Sequence, residues 1–286
     1  MVSQAECVKL TGVPAVTTST PNKASKASKK TTQKFKTVEV DGKQRYYEPA
    51  PEGISVSNFK KVVESRRSVR KFTDKPIPKE VLDDCLDMAL LAPCSSGLQP
   101  WEFYVVKSKE KKTKLVTACL GQLAAKTAQE LIVCVARTDR VSDFSKKMIN
   151  DWPMPEVPTL VRRYYQLIPY NYAPGPLNSF AMVKKVASNV GGIVAPLPRG
   201  PYTKSEVELW AAKSAALACE NLVLAFRAHG FDTCMMEGYD EARVRKLLKL
   251  SDDAFPIMVI GAGERADDGV FWPQVRFERE LFVHEI

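Results

Sequence analysis

The sequence predicts one central β-sheet flanked by helices, of the α/β or α+β class. Two observations carry this. Leu131-Ile132-Val133-Cys134-Val135-Ala136 is a short, continuous apolar run, as expected of a strand covered on both faces. Three more strand-like runs, Phe103–Val106, Asp232–Met236 and Ile257–Gly261, alternate with stretches of helical periodicity. At 286 residues, 45% hydrophobic and 26% charged, the chain is long enough to bury a sizeable core and is ordinary in composition for a globular protein.

Residues 1–50 are rich in Ser, Thr, Lys and Ala, have little to bury, and read as a disordered basic extension. This segment lacks the apolar core of a secretory signal, and its positive charge is all Lys until Arg45, unlike an Arg-rich transit peptide. The expected domain spans 51–286. Its first helix begins near Ser57, with Ser57 or Asn58 as cap and Phe59, Val62 and Val63 on one face. Asp74–Pro78 then breaks the chain, and Pro78 opens a helix over 79–91 that aligns Val81, Leu82, Cys85, Leu86 and Ala89. Pro93 ends that helix. Lys109–Leu120 reads as a polar helix.

The stretch at about 145–201 is unusual. It holds Trp152, Tyr164, Tyr165, Tyr170, Tyr172 and Phe180 among many prolines. One or two helices with loop are expected, serving either as a lid or as a surface insertion with packed aromatics. Thr203-Lys204-Ser205-Glu206 is a capping box opening a helix to about His229, with Gly230 placed to stop it. Val207, Trp210, Ala211, Ala215, Leu217, Ala218, Leu222 and Phe226 make that helix broadly apolar, hence buried. The turn Glu237-Gly238, a helix over about 240–250 and a last apolar stretch, Leu281-Phe282-Val283, complete the chain.

The net charge of +9 is unevenly placed: residues 1–50 carry nine basic and four acidic side chains, leaving +4 for 51–286. The basic total is therefore weak evidence for a nucleic-acid partner. No apolar run approaches the roughly 18–20 residues of a membrane span. The seven cysteines, Cys7, Cys85, Cys94, Cys119, Cys134, Cys219 and Cys234, form no C-x-x-C pair, and several lie in apolar runs. They read as reduced thiols of a cytoplasmic protein. With only His229 and His284 and no clustered cysteines, no metal centre is expected.

The chemistry concentrates in Ser65-Arg66-Arg67-Ser68-Val69-Arg70-Lys71. Guanidinium forks and hydroxyls at the end of a structured element suit a phosphate dianion, although a solvated basic helix end has the same composition. One helix later comes Pro93-Cys94-Ser95-Ser96-Gly97-Leu98-Gln99-Pro100-Trp101, a loop of small and polar residues leading into a strand.

Together with Met236-Glu237-Gly238-Tyr239-Asp240 and the tail around Arg276, these stretches resemble the FMN-dependent nitroreductase family over roughly residues 56–286. The resemblance implies an α+β fold with a mixed central sheet wrapped by helices, and a homodimer exchanging its C-terminal arms. It implies FMN at the dimer interface and NAD(P)H as co-substrate. Arg66, Arg67, Ser68 and Arg70 match the family's phosphate and ribityl contacts, and Arg276 a basic residue returning to the phosphate. Pro93, Cys94, Ser95, Ser96, Gly97 and Gln99 fall in the loop that approaches the flavin of the partner subunit. Met236, Glu237 and Gly238 form the turn whose backbone faces the reactive ring edge. The family loop usually reads Pro-Ser-Ser-x-Asn-x-Gln-Pro-Trp, so Cys94 stands for a Ser and Gly97 for the Asn.

The expected activity is reduction of nitroaromatic or quinone-type small molecules by ping-pong hydride transfer. Because the flavin carries the redox chemistry, no protein acid–base dyad is required. A dehalogenase or oxidase variant of the same pocket, and a flavin-binding protein without turnover, remain alternatives. No nucleic-acid or membrane partner is expected.

Overall fold

The structure is a computed structural model describing residues 36–286. The described residues separate into two units, divided between residues 50 and 51. In the first, β1 (Thr37–Val40) and β2 (Lys43–Tyr46) form an antiparallel hairpin. Its two-residue turn is Asp41-Gly42, both with positive φ, the backbone that matches strand twist in a tight hairpin. This corrects the expectation of disorder for residues 37–46. The rest of the expected disordered extension, to residue 35 and including Cys7, lies outside the described residues.

The second unit is built on a four-stranded sheet of order β3 (Trp101–Val105), β4 (Glu130–Arg137), β6 (Ala254–Gly263), β5 (Asp232–Met236). Every pairing among these strands is antiparallel; a parallel bridge, Ser68 to Thr233, is added at the outer edge of β5. Among the described residues nine helices surround it: α1 (Val56–Ser65), α2 (Lys79–Leu90), α3 (Lys109–Ala118), α4 (Leu123–Thr127), α5 (Val141–Asn150), α6 (Thr159–Tyr172), α7 (Ser179–Val194), α8 (Lys204–Ala228) and α9 (Glu241–Leu248). Strand β4 is covered on both faces, as its unbroken apolarity predicts. Ile132, Cys134 and Ala136 join the core formed with α2 and α8, while Leu131, Val133 and Val135 join that of α3, α4 and α9.

The capping box of α8 forms as expected, with the Thr203 side chain accepting from Glu206 N–H and Glu206 reaching back. Gly230 follows the helix at φ +84°, a conformation costly for residues with a Cβ. Among the described residues α8 is the helix long and apolar enough, by length and composition, to cross a membrane. Here its apolar side is buried against the sheet and α2, although Leu217 is exposed.

Several boundaries differ from expectation. The cap of α1 is Ser55, whose hydroxyl accepts from Asn58 N–H, rather than Ser57 or Asn58. Strand β3 begins two residues before Phe103, and α4 has no counterpart in the sequence reading. Strand β6 begins at Ala254, before Pro256, because a bulge skips Ile257: Cys134 pairs with Met258 and Val135 with Pro256. Bulges are where a residue lacking an N–H is tolerated in a sheet. The stretch expected to hold one or two helices contains most of α5 and all of α6 and α7. In α7 the usual arrangement is reversed: Ala181 and Ser188 are buried, while Met182, Val183, Val186, Val190 and Ile193 are exposed.

Candidate active site

Helix α1 ends at Ser65, and Arg66 caps it in an extended conformation with its N–H on Val62 O. The chain then runs along the edge of β5. Val69 N–H donates to Thr233 O (3.0 Å) and Arg70 N–H to Gly269 O (2.7 Å), while Val69 and Phe72 are buried anchors. This course leaves the Arg66, Arg67, Ser68 and Arg70 side chains around a cavity of about 220 Å³. The opposite wall is Val270–Arg276, so Arg276 joins the cluster predicted from sequence. The approach is close: a Cβ on Gly269 would lie 2.4 Å from Lys71 O, so only glycine fits.

Arg67 donates to Trp272 O (2.5 Å) and Arg276 to Val275 O (2.8 Å). Among the described residues, none of Arg66, Arg67, Arg70 and Arg276 is within ion-pair distance of a carboxylate. Four guanidiniums sharing one cavity without a counter-charge form a donor set matched to a phosphate. Cys234 lies close enough for Arg70 to draw its pKa down, but burial is the larger effect and the thiol stays neutral.

Sequence reading missed the brace beneath this cluster. Asp232 is 3% exposed and receives Arg227 Nη1 (2.8 Å), Arg265 Nε (3.1 Å) and Arg265 Nη2 (2.8 Å). Arg265 Nη2 also reaches Ser65 O (3.4 Å), tying the end of α1 to β5. A buried carboxylate needs such partners, but only the fold reveals which distant arginines supply them.

At the far end of β5, Met236 is buried, with its methyl group turned toward Gly261 in the core. Only its backbone is therefore available to a ligand. Glu237 and Gly238 are exposed. Gln122 Nε2 donates to Gly238 O (2.8 Å) and Asp240 N–H to Ala118 O (2.8 Å), fixing the turn. A Cβ on Gly238 would meet only Gln122 Nε2, at 3.8 Å. The fold itself does not demand glycine here, unlike at Gly269, and the bare backbone leaves room for a flat ring. From Thr233, beside Ser68, to Met236, where the turn begins, the strand spans about 10 Å. One edge strand thus has the arginine cluster beside one end and an open turn after the other.

The loop after α2 lies outside that cavity. Pro93, Ser95 and Gln99 are exposed; Cys94, Ser96 and Gly97 are half-buried. Burial raises the Cys94 thiol pKa despite opposing N–H contacts from Gln99, Leu98 and Gly97, which favours the neutral thiol. Gly97 has φ +62°, and its missing side chain would point at Met148 and the Tyr165 hydroxyl. The structure therefore brings Arg66, Arg67, Ser68, Arg70 and Arg276 together. It does not bring the Pro93–Gln99 loop into their cavity within one chain.

Comparison with known proteins bears on the family and the fold. The sequence profile described as "Nitroreductase family" matches residues 63–264. A Bacillus subtilis (strain 168) protein named as an NAD(P)H nitroreductase, YdgI, is 23% identical over 218 residues, covering 76% of this chain and 92% of its own. A Thermus thermophilus protein named NADH dehydrogenase is 24% identical over 230 residues, covering 80% of this chain and 97% of its own. An Exiguobacterium sibiricum 255-15 protein crystallised in complex with FMN superposes with a TM-score of 0.58 at 25% identity, covering 80% of this chain and 97% of that one. With that profile matched over 63–264, which takes in all four strands of the central sheet, the chain belongs to the nitroreductase family.

Proposed function

We propose that the protein is an FMN-dependent oxidoreductase that draws reducing equivalents from NADH or NADPH and passes them to nitroaromatic or quinone-type acceptors in a ping-pong cycle. The observation that carries this reading is the cavity bounded by Arg66, Arg67, Ser68, Arg70 and Arg276, four guanidiniums with no carboxylate in reach among the described residues. These residues would hold the FMN phosphate, and the Glu237-Gly238 backbone would face the ring. When bound, the flavin supplies the two-electron carrier. The protein's own contribution is binding, orientation and the exclusion of side reactions.

The reading includes a homodimer. It is supported by the separation of the Pro93–Gln99 loop from the arginine cavity, which a second copy would supply across an interface. It is also supported by large apolar side chains left exposed in a single chain: Phe59 and Val63 on α1, the outer face of α7, and Phe271, Trp272, Phe277 and Phe282 in the C-terminal arm. Small-molecule acceptors, rather than a macromolecular partner, fit the size of the cavity of about 440 Å³ lined by Gly97, Leu98, Gln99, Phe144 and Trp152.

The test is an absorbance spectrum of the purified protein before and after anaerobic NADH or NADPH. Flavin bands that bleach are expected; flavin that stays oxidised refutes the reductase reading, and no flavin after added FMN refutes the site. The Arg66→Ala/Arg70→Ala variant should lose its FMN on gel filtration, and a variant that stays yellow would remove these residues from the phosphate site.

A further inference from the structure

The loop Ser95–Gln99 holds three left-handed backbones in four residues: Ser96 (φ +64°), Gly97 (φ +62°) and Gln99 (φ +46°). Two of them carry side chains that disfavour this region, so the surroundings must impose the shape. Part of the constraint is local, with Gly97 N–H on Cys94 O (3.1 Å) and Gln99 N–H on Cys94 Sγ (3.1 Å). The rest comes from two consecutive tyrosines of α6. The Tyr164 hydroxyl meets Ser96 Oγ at 2.7 Å, and the Tyr165 hydroxyl donates to Ser96 O at 3.1 Å. Their rings lie edge to face, 5.2 Å apart.

Helix α6 is itself well anchored. Lys184 of α7 donates to Tyr170 O, Asn171 O and Ala173 O (3.0, 2.9 and 2.6 Å) at its C-terminal end, and Tyr172 packs edge-on against Trp210 of α8. It therefore acts as a strut that reaches from the core helix to a single loop residue. The other side of that loop, Gly97, Leu98 and Gln99, walls a cavity of about 440 Å³ opposite Phe144, Met148 and Trp152.

We infer that Tyr164 and Tyr165 are positioning residues for the cofactor-facing loop, with Tyr164 orienting the Ser96 hydroxyl and Tyr165 its carbonyl. The inference rests on the flavoenzyme reading above. A phenol is the stronger hydrogen-bond donor, so when Tyr164 donates, Ser96 keeps its own O–H for an acceptor on the flavin side. The Tyr165 bond fixes the peptide plane between Ser96 and Gly97. Loosening either contact disturbs the flavin environment and one wall of the 440 Å³ cavity at once.

The experiment compares Tyr164→Phe, Tyr165→Phe, Ser96→Ala and Tyr164→Phe/Ser96→Ala as FMN-loaded proteins. Each Tyr→Phe change removes one oxygen and retains the ring. The readouts are FMN dissociation constant, visible circular dichroism of the bound flavin, hydrogen exchange of the 95–99 amides, and the kcat-against-KM split for a quinone. Each single variant is expected to weaken FMN binding about 2- to 10-fold and to alter the flavin dichroism. The double variant should be no worse than Ser96→Ala alone, because the two residues share one contact. Additive losses, or Tyr164→Phe with wild-type dichroism, exchange and FMN affinity, would overturn the clamp while leaving the flavoenzyme reading intact. Wild-type protein that binds no FMN would overturn both.

Discussion

Asp232→Ala is the most informative single change for the architecture of the site. Asp232 is almost completely buried and accepts three charge-assisted hydrogen bonds, one from Arg227 and two from Arg265. Removing the carboxylate leaves two partly buried guanidiniums without a counter-ion, a disruption that costs about 3–5 kcal/mol. For a domain of this size that is a fall in melting temperature of roughly 10 °C. Arg227→Met should cost less, because Asp232 keeps both bonds to Arg265; Arg265→Met leaves one bond and should be intermediate. Thermal and urea denaturation of the three variants, followed by far-ultraviolet circular dichroism, give the order directly. An Asp232→Ala protein that melts with the wild type, or above either arginine variant, would refute the brace. Because Arg265 also reaches Ser65 O, both Asp232→Ala and Arg265→Met should weaken FMN binding without altering Arg66, Arg67 or Arg70.

The two glycines that flank the proposed site should respond oppositely. Gly269→Ala drives a Cβ to 2.4 Å from Lys71 O and should destabilise the fold severely, whereas Gly238→Ala makes only an ordinary contact with Gln122 Nε2 at 3.8 Å and should change stability by less than about 0.5 kcal/mol while impairing FMN reduction. Melting curves paired with anaerobic NADPH titration check both outcomes. Glu206 is held near a pKa of about 2, chiefly by Tyr202 N–H, then by Lys185 and Thr203 N–H. Its stabilising contribution is complete above the ordinary glutamate range, near pH 4.3, and disappears as pH falls through about 2. Glu206→Gln should flatten that part of the acid-unfolding curve, and an unchanged curve would rule the interaction out.

Local signals are legible where sequence neighbours settle the structure. Thr203 and Glu206 announce their own cap, and the apolar run at β4 announces coverage on both faces. The arginine cluster is legible because four of its parts fall within five consecutive residues. What stays hidden depends on pairs far apart in the chain. Arg265 and Asp232 are 33 residues apart, and Tyr164 and Ser96 are 68 apart, so neither contact leaves a local pattern. Pro256 argues against an earlier start for β6 because the bulge that accommodates it emerges only in the register with β4. The outward-facing residues of α7 are equally opaque, since periodicity reveals an apolar face but not the direction it points.

The bridge between Ser68 and Thr233 has a consequence for solubility. Strand β5 is terminal in the sheet, and an uncovered terminal strand is a template for pairing with another chain. Here the segment that carries Arg66, Arg67, Ser68 and Arg70 also shields that edge. A ligand that stiffens the segment protects the sheet from edge-to-edge association, so protein grown without enough riboflavin should aggregate more readily than its melting temperature alone implies.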